Sequence, residues 1–192
     1  RRLAWDAVMA DEVHPNDPGH ACAADFVNHF LDVAWASRPW KDTGKMSVPP
    51  APALPAPLFS DLYESTSLFE APDLMPLSNT GWTLDKTWKN WVTDKPGSVI
   101  EFEVNGTAIF SMHFVIKRAM GKAKFQVDGG APVVYDGWFD QTWGGYRCTN
   151  LLAKDLKPGK HIVRIELLEE KNPGSEGHEF KLFGLGAAGV TK

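Results

Sequence analysis

The chain has 192 residues, 43% of them hydrophobic and 23% charged, with a formal net charge of -4 at pH 7. That size suits one domain, or a small domain with an appendage, and is enough to bury a core without metal or disulfide staples. The acidic balance, without any basic cluster, sets nucleic acid and anionic membrane surfaces aside as partners, and no run approaches the ~20 apolar residues of a membrane-spanning helix.

The chain opens Arg1-Arg2-Leu3 rather than with Met and shows no signal-peptide pattern, which reads as a cut or processed end. Residues 1–40 are helical in pattern. Asn16-Asp17-Pro18 marks a helix start, because Asn or Asp caps and Pro is favoured at the first helical position. Apolar Phe26, Val27, Phe30, Leu31 and Ala34 then recur as the stripe of an amphipathic helix, with Asp25, Asn28, His29 and Asp32 opposite. The helix is predicted to stop before Pro39. Residues 41–60 are a linker, with five prolines between Val48 and Pro57. Such a stretch is neither helix nor central strand, and is expected as a stiff spacer or a surface strap.

Residues 61–192 read as strands and turns. Val99–Val104 alternates, and Asn105-Gly106 then signals a hairpin turn. Strands are predicted over Thr107–Ile116, Lys122–Val127, Pro132–Tyr135, Lys160–Leu167 and Glu179–Leu185, with a turn at Asp128-Gly129-Gly130. Many short strands with regular turns predict a mainly β fold: a jelly-roll-like β-sandwich preceded by a helical segment and a Pro-rich linker. Asn105-Gly106-Thr107 also fits a glycosylation acceptor, but the turn is the expected role.

Two cysteines, Cys22 and Cys148, lie in different regions and make no metal-ligand spacing. They are expected as buried free thiols. Eight Trp and eleven Phe are the unusual feature of the composition. Most should be core. Trp82, Trp88, Trp91, Trp138 and Trp143 are nonetheless candidates for a sugar platform. Trp88 and Trp91 are three apart and cannot share one face of a strand. Trp138, Trp143 and Tyr146 border the loop Phe139-Asp140-Gln141-Thr142 and are the candidate substrate-binding residues. His113 sits in an alternating strand and is expected to be structural.

The sharpest local feature is Asp11-Glu12-Val13-His14-Pro15-Asn16-Asp17-Pro18-Gly19-His20, in a loop running into the capped helix. In a tight turn, Asp11 can reach the Nδ1 of His14, fix the tautomer and leave Nε2 as a base. By spacing alone, a solvated turn is the competing reading. His14, His20, Asp11 and Asp17 do not match a helix-borne zinc pair, so neither a metal nor a cofactor is expected.

This string, at Asp11, His14, Pro15, Asn16, Gly19 and His20, resembles the last conserved block of the SGNH (GDSL-type) hydrolase superfamily, which leads into the final helix of an α/β/α domain. The resemblance covers the first 35–40 residues and implies that His14 is the general base of a Ser-His-Asp triad and Asp11 its orienting acid. His20 would be structural. The family's Gly-Asp-Ser nucleophile block and its oxyanion-hole Gly and Asn blocks have no counterpart in this sequence, and Ser60, following the linker, is no substitute. Gly81-Trp82, Val99–Val104, Gly121-Lys122-Ala123, Val127-Asp128-Gly129-Gly130, Trp143-Gly144-Gly145-Tyr146 and Gly159-Lys160-His161 resemble, more loosely, the C-terminal β domain of some bacterial SGNH hydrolases.

The expected organisation is therefore a hydrolase remnant (1–40), a linker (41–60) and a β-sandwich accessory domain (61–192). The resemblance implies a fragment of a carbohydrate-active esterase, a sugar-ester deacetylase, without turnover of its own. Its partners would be a carbohydrate or sugar ester, and the missing hydrolase portion or a second copy of the chain. A non-catalytic carbohydrate-binding module and a structural or oligomerisation domain are the alternatives.

Overall fold

The computed structural model describes residues 4–38, 55–57, 61–63 and 65–189. Most of the Pro-rich linker, and Ser60, lie outside the described residues. The chain divides into two compact units, Arg1–Pro55 and Ala56–Lys192.

In the first unit a short 3-10 turn, Trp5–Ala7, precedes helix α1, Asp17–Ala36. The helix begins where the sequence predicts. Asn16 is the cap, its side-chain oxygen accepting from the Gly19 N–H at 3.0 Å, with Pro18 in the first turn. It ends before Pro39, with the Ser37 hydroxyl donating to the Val33 carbonyl. The stripe of Phe26, Val27, Phe30 and Leu31 is exposed.

The second unit is a jelly-roll-like β-sandwich with eleven strands among the described residues: β1 (Thr66–Glu70), β2 (Ser78–Thr80), β3 (Thr83–Asp85), β4 (Asn90–Thr93), β5 (Val99–Asn105), β6 (Ala108–Val115), β7 (Lys122–Val127), β8 (Val133–Asp136), β9 (Tyr146–Ala153), β10 (Lys160–Leu167) and β11 (Phe180–Ala188). One antiparallel sheet runs β3-β4-β11-β6-β9, with β1 also paired to β11, and the other runs β2-β5-β10-β7-β8. In β11 the register shifts between Leu182 and Gly184, a bulge that lets both Leu182 and Leu185 point into the core.

Alternation explains the layers. β5 buries Ile100, Phe102 and Val104, β7 buries Ala123, Phe125 and Val127, and β10 buries Val163, Ile165 and Leu167. Trp82, Trp91, Ile109, Phe180, Leu182 and Leu185 come from the other layer. The opposite positions of the β2–β8 sheet are charged: Lys124 meets Glu166 at 3.0 Å, Arg164 meets Glu166 at 2.6 Å and Lys160 meets Glu103 at 2.7 Å. Solvated pairs of this kind contribute about 0–1 kcal/mol each, so apolar burial decides the fold.

Asn105-Gly106 does not close a hairpin. β5 and β6 lie in different sheets, and the dipeptide carries the chain from one to the other. The reason is that β2 and β10 already occupy both edges of β5. The turn's backbone groups are taken by other strand ends, Gly106 N–H by the Gly159 carbonyl and Thr107 N–H by the Ala188 carbonyl. Asp128-Gly129-Gly130 does connect paired strands, β7 and β8, with φ of 50° at Asp128 and 70° at Gly129. Cys22 and Cys148 are free thiols, half-buried rather than buried.

Two histidines of the sandwich respond to pH in opposite senses. His113 is 1% exposed and stacks between Tyr135 and Phe180, each ring centroid 5.3 Å away. Burial pushes its pKa down to about 4, so it is a neutral aromatic core residue. His161 is also buried, which opposes its charge. Its Nδ1 meets Asp128 and its Nε2 the Lys157 carbonyl at 2.8 Å, and these bonds outweigh burial and raise its pKa. With acceptors at both nitrogens, the ring is an imidazolium donating twice.

The folded state resists protonating His113, whereas the unfolded chain protonates near pH 6.5. His113 should therefore remove about 3 kcal/mol of stability as pH falls from 6.5 to 4. Urea unfolding across this window should show a shallower loss in His113→Phe than in the unsubstituted chain; equal slopes would refute the assignment. His161 acts the other way. Its contribution is complete below pH 6.5 and disappears as pH rises through its raised pKa. The stability gap between the unsubstituted chain and His161→Phe should thus narrow from pH 6 to pH 9, and a gap that is constant over that range would contradict a charged ring.

Candidate functional site

The N-terminal loop is built around one carboxylate. Asp11 Oδ1 accepts from the Val13 and His14 N–H groups, each at 2.7 Å, and Oδ2 meets His14 Nδ1 at 2.7 Å. The first pair of bonds fixes the turn, and the last fixes the imidazole. Chiefly through the His14 ring, and then through the two backbone donors, the Asp11 pKa is lowered to about 2. Asp11 is thus an anion throughout the neutral range, and the ring donates to it from Nδ1. Nε2 remains the basic nitrogen. The His14 side chain is 77% exposed.

Further bonds close the loop. Ala10 N–H donates to the His14 carbonyl at 2.8 Å and Asn16 N–H to the Val8 carbonyl at 3.1 Å, with Met9 and Pro15 bridged between them. Asn16 has a second task besides capping, its side-chain amide reaching the Asp6 carbonyl. Gly19 faces the Val8 carbonyl so closely that any Cβ would collide with it. Asp11, His14, Pro15, Asn16 and Gly19 are therefore one mechanical unit that presents a proton acceptor at the mouth of a helix.

In the sandwich, the candidate platform divides. Trp143 and Tyr146 stack, with centroids 5.9 Å apart and planes 17° from parallel, and Phe139 meets both edge-on at 5.4 Å. Trp143 is 66% exposed and Tyr146 41%. Phe139, which the sequence placed in the bordering loop, is the brace that fixes the pair. Trp138 is half-buried and lies on the backbone of Gly174 with Lys117 over its ring at 5.9 Å, and its backbone N–H donates to the Asp136 carboxylate at 2.8 Å. Asp140 in the same loop pairs with Lys117 at 2.7 Å. Trp82 and Trp91 belong to the core, Trp91 donating from Nε1 to the Ala71 carbonyl. This removes them from the platform, as their neighbours Phe180 and Phe102 already cover them. Among the described residues no cluster of metal-ligating side chains is present.

No family model and no curated protein matches the sequence. Among solved structures, the chain is similar over 100% of its length to 51% of a two-domain esterase (CEX) active on acetylated mannans, co-crystallized with mannopentaose, at 24% identity and a TM-score of 0.76. A further structure of such an esterase is matched over 99% of this chain and 52% of that one, at 24% identity and a TM-score of 0.78. A family two carbohydrate esterase from Cellvibrio japonicus is matched over 66% of this chain and 34% of that one, at 17% identity and a TM-score of 0.48. The chain thus shares its fold with, and spans about half the length of, the two-domain esterases.

Proposed function

We propose that this chain is the C-terminal part of a carbohydrate-active SGNH-type serine esterase, a sugar-ester deacetylase. Residues 1–40 would close the hydrolase domain, and residues 61–192 would be its accessory sandwich. The observation that carries the reading is the Asp11–His14 pair at 2.7 Å, with an anionic carboxylate on Nδ1 and Nε2 left as the base. The shared fold with half of a two-domain esterase active on acetylated mannans is in keeping with it. So is the exposed apolar stripe of α1, a surface of the kind that a parent sheet covers.

In this reading the serine and the oxyanion donors belong to polypeptide outside this sequence. His14 Nε2 takes the proton of the serine hydroxyl as that oxygen attacks the ester carbonyl, and returns it to the departing sugar oxygen. Asp11 stabilises the imidazolium formed between the two transfers without accepting its proton. Water then repeats the sequence, and acetate leaves. On the sandwich, Trp143 and Tyr146 stack on the apolar C–H faces of a pyranose.

In the native polypeptide that carries this sequence, His14→Ala and Asp11→Asn should each lower kcat on an acetylated glycan by about ten-thousand-fold, with little change in KM. Turnover unaffected by either substitution would overturn the assignment. A non-catalytic glycan-binding module is the second reading, favoured by the exposed Trp143–Tyr146 pair itself. Affinity electrophoresis of this chain in soluble mannan should show retardation that Trp143→Ala abolishes. Equal mobility of the two proteins would remove the platform, while leaving the Asp11–His14 proposal standing.

A further inference from the structure

A second surface of the sandwich combines aromatic rings with guanidinium groups that meet no carboxylate among the described residues. It is a groove of about 170 Å³ on the outer face of the β3–β9 sheet, lined by Trp88, Phe114, Ile116, Arg118, Glu179, Lys181 and Phe183. Its walls are positioned by the strands. Phe114 alternates outward on β6, opposite Arg147 of β9. Phe183 follows the inward Leu182 on β11, and its ring packs against Phe114 at 6.0 Å. Trp88 stands in the turn between β3 and β4, where its N–H and that of Thr87 are held by the Asp85 carboxylate. Trp88 is 61% exposed.

The charges are uneven. Glu179 is spent on Lys181, 2.9 Å away. Lys181 also lies over the Trp88 ring at 5.9 Å. The Arg147 guanidinium lies 4.1 Å over the ring of Phe183. Neither Arg147 nor Arg118 meets a carboxylate among the described residues. A chain of net charge -4 therefore keeps two uncompensated guanidinium groups beside one aromatic groove.

Each part selects for something. The exposed Trp88 indole and the half-buried Phe114 ring offer flat apolar surface to a ring-sized ligand. Guanidinium groups offer planar paired donors to a carboxylate. An extended peptide finds no partner here, because the groove lies on β11 and β6, interior strands whose backbone groups already pair. We propose that this groove binds an acidic sugar, a uronate unit of a glycan chain, with its ring against Trp88 and its carboxylate on Arg118 and Arg147. The inference is independent of the Asp11–His14 chemistry and of the Trp143–Tyr146 platform.

The test is calorimetric titration of this chain with trigalacturonate and, separately, with mannotriose. Trigalacturonate should bind, weaken as salt is raised, and bind at least tenfold more weakly to Arg118→Gln, Arg147→Gln and Trp88→Ala. Trp143→Ala, which removes any heat arising at the platform, should keep the salt-sensitive binding that depends on Arg118 and Trp88. Arg147 covers Phe183, so the thermal midpoint of each variant is recorded, and Arg118→Gln decides the matter should Arg147→Gln unfold. No heat with trigalacturonate at millimolar concentration overturns the proposal. So does equal affinity for mannotriose, or a loss of binding with Trp143→Ala but not with Trp88→Ala; that last outcome assigns the acidic glycan to the platform instead.

Discussion

Burial of one alternating face from each sheet is the constraint on which the second unit rests. Phe125, Phe180, Tyr135 and His113 meet where the two layers face one another, and every ring contact among them spans 5.3–6.4 Å. Removing a ring of this size from such a core costs about 3–5 kcal/mol, a large share of a domain's 5–15 kcal/mol. A neutral histidine is tolerated there because its two stacked neighbours treat it as another flat ring. The groove beside Trp88 and the Trp143–Tyr146 pair both depend on this packing. The groove is formed by the outward neighbours of core residues, and the Trp143–Tyr146 pair stands at the start of β9, whose register is fixed by β6.

The N-terminal loop follows a different logic. It needs no core, because Asp11 accepts three hydrogen bonds from its own turn and Asn16 joins that turn to the helix. Its residues act by hydrogen bonding over short sequence distance, so the loop's geometry is encoded locally. Such a design lets the Asp11–His14 pair keep its arrangement without support from a distant part of the chain.

That difference explains what could be read from the sequence. The Asp11–His14 contact and the Asn16 cap were legible because they are local. β5, β7 and β10 were legible because their alternation is uninterrupted. β9 was not: in Tyr146–Ala153 burial alternates only between exposed and half-buried positions, and polar Asn150 stands on the half-buried side while Leu151 is exposed, so the hydropathy carries no clean period. Asn105-Gly106 misled because a turn signal specifies a local bend and says nothing of which strand is free to pair. The grouping of Trp138 with Trp143 and Tyr146 rested on nearness in sequence, and Gly174, far along the chain, is what draws Trp138 aside. The groove at Trp88 was illegible for the same reason, since its walls come from four separate strands and turns.

The bulge in β11 sets how this strand can change over time. Leu182 and Leu185 are three residues apart and both point inward, so the strand holds one residue more than strict alternation permits. Exchanging a side chain there alters one contact. Excising Gly184 would instead remove the extra residue and return the strand to strict alternation, with Phe180, Leu182, Leu185 and Ala187 all still inward, whereas a deletion elsewhere in the strand would turn the residues on one side of it to water. In lineage terms, β11 can drift by replacement, and the bulge is the place where its length can change.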